Sequence, residues 1–232
     1  MKNDYWFQPP SDFLGCLSSA DRQALLSLGK VQNFRRGEYI FSSGAKGNNV
    51  YILEEGRTKI YKLSSKGKEV ILWFCFPGEI FGLAEVTRAG SREVFSEACT
   101  NARVYSISRE NFTSFLAEHP DSALQTIDLL SCRMRVLGDM LMNLVTDDVP
   151  SRLIKLLTRL ASRYGRREGD TIYLDIHLTH QDMADMIGAS RQTVTSELNN
   201  LKRKGVIEMQ HHRIHIQNEQ FLDEYRFQGN AS

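Results

Sequence analysis

Residues 178–209 read "LTHQDMADMIGASRQTVTSELNNLKRKGVIEM", and two short amphipathic helices can be read from them. Thr179 stands where a helix N-cap belongs and Asp182 follows three residues on. This is a variant of the capping box, in which each side chain satisfies the other's orphan backbone amide. The first helix sets Met183, Ala184, Met186 and Ile187 on its apolar face. Gly188 permits a sharp turn, and Ser190 caps a second helix that packs Val194, Leu198 and Leu201 inward. Two short helices joined by a turn of about three residues containing glycine match the helix-turn-helix pattern.

The opposite face of the second helix carries Arg191, Gln192, Thr195 and Ser196. These side chains are short or fork-shaped, unlike the Glu/Lys mixture of a solubilising face. They suit base edges in a major groove, where Arg pairs with guanine O6/N7 and Gln with adenine N6/N7. Ser190, Thr193 and the helix N-terminal amides suit phosphate oxygens. Lys202 and Lys204 add positive charge further along. "VIEMQHHRIHI" (206–216) reads as two strands around a tight turn at His211 and His212, a wing placed to touch the backbone. Its histidines are expected on the surface near phosphate, because no nearby Cys or acidic partner completes a metal site.

Towards the amino terminus, "TIYLDIHL" reads as a short strand. Before it, "SRLIKLLTRLASRYG" is an amphipathic helix ending at Gly165, capped by Asp148 and with Pro150 in its first turn, where a missing N–H costs nothing. From Asp121 to Thr146 there is no proline and only Gly138. Ile127, Leu130, Met134, Leu137, Leu141 and Leu144 are spaced 3, 4, 3, 4, 3. That is a heptad seam, which packs against a partner helix. Such a helix is ~37 Å long and makes a dimer spine. Met140 and Val145 lie off the seam and are expected to pack back onto the preceding domain.

Residues 30–108 are rich in β-branched and aromatic residues and are cut by glycines, with Gly56, Gly67 and Gly78 eleven residues apart. Short strands at that spacing predict an antiparallel sandwich or barrel. The expected fold is therefore α+β. An antiparallel β-roll of the jelly-roll kind occupies residues 1–119 with the N-terminal segment, a dimerisation helix 120–147, and a winged helix-turn-helix domain 148–232.

Composition narrows the function classes. The 232 residues are 41% hydrophobic and 25% charged, ordinary for a soluble globular protein. A net charge of +1 gives no global argument for nucleic acid, so that partner is read from local placement alone. No apolar run approaches the roughly 20 residues that span a bilayer, and no export signal is visible, so no membrane partner and a cytoplasmic location are expected. Cys16, Cys75, Cys99 and Cys132 are scattered, without metal-ligand or redox spacing. No nucleophile elbow, P-loop or H-E-x-x-H is present, and an enzyme is not expected.

From about residue 20 the chain resembles the cyclic-AMP receptor protein / fumarate-nitrate reduction regulator (Crp/Fnr) family of bacterial transcription factors. The glycine-punctuated roll, "PGEIFGLAEV" (77–86), the long helix and "LTHQDMADMIGASRQTVTSELNNLKRKGVI" carry the likeness. The resemblance implies a cyclic-nucleotide-binding-like sensory domain and a homodimer on a pseudo-palindromic promoter site in double-stranded DNA, with RNA polymerase as a further partner. It places Arg191, Gln192, Thr195 and Ser196 at base-reading positions. Thr179, Gln181, Ser190 and Thr193 fall at phosphate contacts, joined by Lys202 and His212.

Against the family's cyclic-AMP binders, Leu83 and Ala84 follow Gly82 where a glutamate holds the ribose. Arg92-Glu93 replaces an Arg-Ser pair, and Leu137 and Gly138 lack the hydroxyls that meet adenine. Ordinary cyclic-AMP recognition is not expected. Neither a haem nor an iron–sulfur cluster is expected either, since Gly82 and Ala84 cannot ligate iron and the N-terminal part holds only Cys16. "FGLA", Arg92, Arg133 and "VPSRL" are more similar to the nitrogen-control regulators. The expected effector site is thus Gly82, Leu83, Ala84, Arg92, Glu93 and Arg133 around a small anion. Three alternatives stand beside it: an effector-independent member whose Arg92 pairs with an internal acid, a ligand-binding module acting through protein partners, and redox control at Cys132.

Overall fold

The computed structural model describes residues 12–169, 171–174, 176–210 and 213–218. Helices α1 (Phe13–Cys16) and α2 (Ser19–Ser27) precede eight strands: β1 (Lys30–Phe34), β2 (Tyr39–Phe41), β3 (Asn49–Glu55), β4 (Thr58–Leu63), β5 (Glu69–Cys75), β6 (Ile80–Phe81), β7 (Phe95–Ala98) and β8 (Ala102–Ser108). They form two four-stranded sheets, ordered β1-β8-β3-β6 and β2-β7-β4-β5. Every pairing within them is antiparallel.

The sequence of β3 explains the layering. Successive side chains of a strand point to opposite faces. Val50 and Ile52 enter an outer cluster with Leu25, Ile80, Ile107, Phe112, Phe115 and Leu129. Tyr51 and Leu53 enter the space between the sheets with Phe41, Ile60, Cys75, Phe81 and Val104. A strand that is apolar on both faces must lie between two layers, which here are the second sheet and the helices. The result is the expected antiparallel jelly roll.

Helix α3 (Arg109–Glu118) leads into α4 (Pro120–Thr146). His119 between them reaches back to α2, its Nδ1 2.7 Å from the Asp21 carboxylate, and the Ser122 hydroxyl donates to the same group. Burial raises the Asp21 pKa, but the hydrogen bonds from His119, Ser122 and Ser18 outweigh it and the net direction is down. The inner side of α4 is Ser122, Thr126, Leu129 and Cys132, all buried. Val145 is 76% exposed, so the expectation that it packs back onto the preceding domain is corrected. The seam lies on the other side: Ile127, Leu130, Met134, Leu141 and Leu144 are exposed, and Leu137 is half-buried.

Two compact units meet within α4, one ending at Met134 and the other beginning at Arg135. The second contains α5 (Val149–Tyr164), β9 (Gly165–Glu168), β10 (Thr171–Leu174), α6 (His180–Ile187), α7 (Arg191–Arg203), β11 (Ile207–Gln210) and β12 (Arg213–Ile216). The Asp148 carboxylate caps α5 by accepting from the Ser151 amide at 2.9 Å. Hydrogen bonds from Ser151 hold that carboxyl below the usual range. Lys155 ties α5 to the end of α4 through Asp147 at 2.8 Å and Asn143 at 3.1 Å. The four strands form one sheet, ordered β11-β12-β10-β9. Strand β9 was not anticipated: "GRRE" carries no apolar alternation, and it is the edge partner of β10 that makes it a strand.

Candidate functional site

Helices α6 and α7 are set by their caps. In α6 the Asp182 amide donates to the Thr179 hydroxyl at 3.0 Å and the Thr179 amide donates to the Asp182 carboxylate at 2.9 Å, so the capping box is complete. Gly188 ends α6 in the left-handed region at φ 66°. The Ser190 hydroxyl accepts from the Thr193 amide at 3.1 Å and starts α7. Val194 and Leu198 are fully buried and Leu201 nearly so. This fixes the rotation of α7 and leaves Arg191, Gln192 and Ser196 exposed on its outer face.

Thr195 is half-buried on that face. Its hydroxyl donates to the Arg191 carbonyl at 2.8 Å and lies 2.8 Å from His180 Nδ1. Thr195 therefore links α7 to the first residue of α6, a contact that no periodic signal in the sequence announces. Thr179, Gln181, Ser190 and Lys202 are exposed, and Thr193 is half-buried. The Gln181 amide donates to Asp185 at 2.9 Å, and the Ser190 and Thr193 hydroxyls lie 2.8 Å apart. His212 lies outside the described residues. His215 contradicts the surface reading of the wing histidines, because it is 8% exposed and packs on Tyr173 with ring centroids 4.5 Å apart.

The turn between the helices carries a prediction. A Cβ at Gly188 would meet Leu144 Cδ2 at 3.0 Å, in addition to the backbone strain. An L side chain in this region costs roughly 1–2 kcal/mol. Gly188→Ala is expected to lower the thermal midpoint of the DNA-binding unit and weaken duplex binding together, as calorimetry and anisotropy on one preparation will show.

The anticipated effector residues converge only in part: Gly82 and Arg92 are in contact, and Leu83, Ala84 and Glu93 are not part of that contact. Gly82 adopts φ 76°. Leu83 turns into the outer core at 4% exposure, and Ala84 is exposed. Glu93 points outward and pairs with Lys62 at 3.0 Å, so its expected place beside Arg92 is corrected. Arg92 itself is 3% exposed. Its Nη1 donates to the Gly82 carbonyl at 2.9 Å and to the Glu85 carboxylate, and its Nη2 donates to the Asn49 carbonyl. The guanidinium carbon stands 4.4 Å from the centre of the Phe41 ring. Arg133 donates to the Ile80 carbonyl at 2.6 Å and covers Trp73 at 5.2 Å. Glu85 and Trp73 were missed because side-chain direction in a loop, or at a strand end, has no periodic signature. Among the described residues no group of three or more His, Cys, Asp or Glu side chains could hold a metal ion.

A capped two-helix unit with an outward polar second helix and an adjoining sheet defines a winged helix-turn-helix DNA-binding domain, here following a β-roll domain. Comparison with known proteins agrees. A family profile described as cyclic nucleotide-binding domain matches residues 31–119, and one described as Crp-like helix-turn-helix domain matches residues 151–225. A CRP-like cAMP-activated global transcriptional regulator of Mycobacterium tuberculosis is 32% identical over 178 residues, which cover 77% of this chain and 80% of the relative. The global nitrogen regulator of Synechococcus elongatus is 29% identical over 191 residues, 82% of this chain and 86% of that one. Among solved structures, a CooA mutant from Carboxydothermus hydrogenoformans superposes with a TM-score of 0.80 at 24% identity, covering 93% of this chain and 96% of that one. The chain belongs to the Crp/Fnr family of transcription regulators.

Proposed function

We propose that the protein is a homodimeric regulator that reads a pseudo-palindromic DNA site through Arg191, Gln192 and Ser196 of α7. The observation that carries this reading is the division of α7 into a buried apolar side and an exposed face of fork-shaped and short polar groups. Thr179, Gln181, Ser190, Thr193 and Lys202 surround that face and serve the phosphates, which position the helix without reading sequence. Thr195 contributes by holding Arg191 and His180 in place through its hydroxyl. The exposed stripe of α4 supplies the two-fold axis, so that two copies of α7 enter major grooves about one helical turn, ~34 Å, apart. RNA polymerase is the downstream partner, and the cytoplasm the place of action. Among the described residues no helix is long and apolar enough to cross a membrane.

Selection from a random duplex pool, followed by anisotropy titration of the selected site, tests the proposal. Arg191→Ala is expected to lose roughly 1–3 kcal/mol of discrimination at one base pair in each half-site, with an unchanged salt slope. A sequence preference identical to that of the wild type would remove Arg191 from the reading face. No selected site at all, from a protein that remains dimeric, would favour a module acting through protein partners. An anionic effector that takes Nη1 of Arg92 must displace the Glu85 carboxylate and the Gly82 carbonyl, and the charge that would attract it is already offset by Glu85. That requirement supports the effector-independent reading over the anionic one.

A further inference from the structure

We propose that Glu85 is a built-in counter-ion that occupies Arg92 in place of an anionic ligand and thereby closes the roll to anions. Arg92 is the buried cation of the segment matched by the cyclic nucleotide-binding profile. Its side chain is 2% exposed and that of Glu85 10% exposed, so the pair is withdrawn from water. Nη1 is shared between Glu85 and the Gly82 carbonyl, Nη2 donates to the Asn49 carbonyl, Nε is buried without a partner, and the guanidinium carbon lies 4.4 Å from the centre of the Phe41 ring. An anion that seeks Nη1 must therefore displace a carboxylate tethered seven residues away on the same chain, and one that seeks the unpartnered Nε meets a cation whose charge that carboxylate already offsets. A tethered competitor acts at an effective concentration of about millimolar or higher, which excludes weak anions at ordinary concentrations.

The surroundings are built to hold Glu85 in this place. A Cβ at Gly47 would stand 2.6 Å from Glu85 Cβ and 2.7 Å from its Cγ, so the stem of Glu85 runs through the space that the missing side chain leaves. The backbone beside it is zipped by the Gly47 amide to the Gly90 carbonyl at 2.9 Å and the Arg92 amide to the Ala45 carbonyl at 2.7 Å. Lys46 and Ser91 form a β-bridge in the same stretch. Gly82 completes the arrangement, since a Cβ there would meet both Arg92 Nη atoms at 3.2 Å. None of these contacts requires DNA or a second subunit.

The test is calorimetric titration of the full chain with cyclic AMP and, separately, with inorganic phosphate. The wild type is expected to give no saturable binding of either probe up to millimolar concentration. Glu85→Ala empties one side of the fork and should bind at least one of the probes about tenfold or more tighter than the wild type. That probe should also raise the variant's melting temperature. Adding Arg92→Gln should abolish the gain. Gly47→Ala leaves every charge in place and crowds the Glu85 stem, so it should shift affinity in the same direction and serves as the readout if Glu85→Ala does not fold. Saturable wild-type binding that Arg92→Gln removes would overturn the proposal. So would a variant gain that survives without Arg92, or no gain in either single variant. Duplex binding is measured on the same samples: its loss with the anion pattern intact counts against the DNA-reading role alone.

Discussion

Placing glutamate at both Met134 and Leu141 is expected to leave the protein monomeric at micromolar concentration and to weaken binding to a two-half-site duplex more than about a thousandfold. In the protomer these side chains are 71% and 63% exposed, although both are large and apolar. They stand one heptad apart at the centre of a stripe that also holds Ile127, Leu130 and Leu144. Fully burying such a side chain contributes roughly 1.5–3 kcal/mol. Two positions in each of two copies therefore forfeit roughly 6–12 kcal/mol by that rule, before like charges are brought face to face. A thousandfold loss needs only about 4 kcal/mol. Because neither residue is buried in the protomer, circular dichroism should be unchanged, which separates lost assembly from lost folding. Sedimentation equilibrium decides the matter, and a double variant that remains a dimer would move the two-fold axis away from α4.

The same residues show why much of this molecule could be read in advance. The seam repeats every three and four residues, a period that marks one apolar face of a helix and was legible without knowing what covers that face. The capping box at Thr179–Asp182, the left-handed Gly188 and the Ser190 cap are each local, so the two-helix unit follows from chemistry within a few positions. The roll was legible from its glycine spacing and from strands such as "NVYILEE", which are apolar on both faces. What was not legible depends on direction rather than periodicity. The acid beside Arg92 is Glu85 on the preceding loop, while its sequence neighbour Glu93 points to solvent. Thr195 lies on the correct face of α7, but its hydroxyl is engaged by a residue fifteen positions away. Val145 departs for a related reason: local hydropathy does not say on which side of a helix a neighbouring domain ends.

Removing the guanidinium of Arg92 alone is expected to be the most damaging single substitution in the roll. Arg92→Met keeps most of the apolar length of the side chain, but it removes the guanidinium that faces Phe41 and leaves the Glu85 carboxylate buried without a counter-ion. The Gly82 and Asn49 carbonyls lose their donors as well. Breaking a buried pair from one side typically costs about 3–5 kcal/mol, much of it the desolvation of the charge left behind. Replacing both partners with apolar residues of similar volume is often close to neutral. Glu85→Leu combined with Arg92→Met should therefore recover most of the stability that Arg92→Met loses, a coupling that additive single effects do not produce. Urea unfolding of the four members of the cycle, followed by tryptophan fluorescence, measures that coupling. If the double variant is as unstable as the sum of the singles, the two side chains do not neutralise one another and the closed roll needs another cause. If it recovers, the pair itself contributes little net stability, and its role is to keep Arg92 occupied.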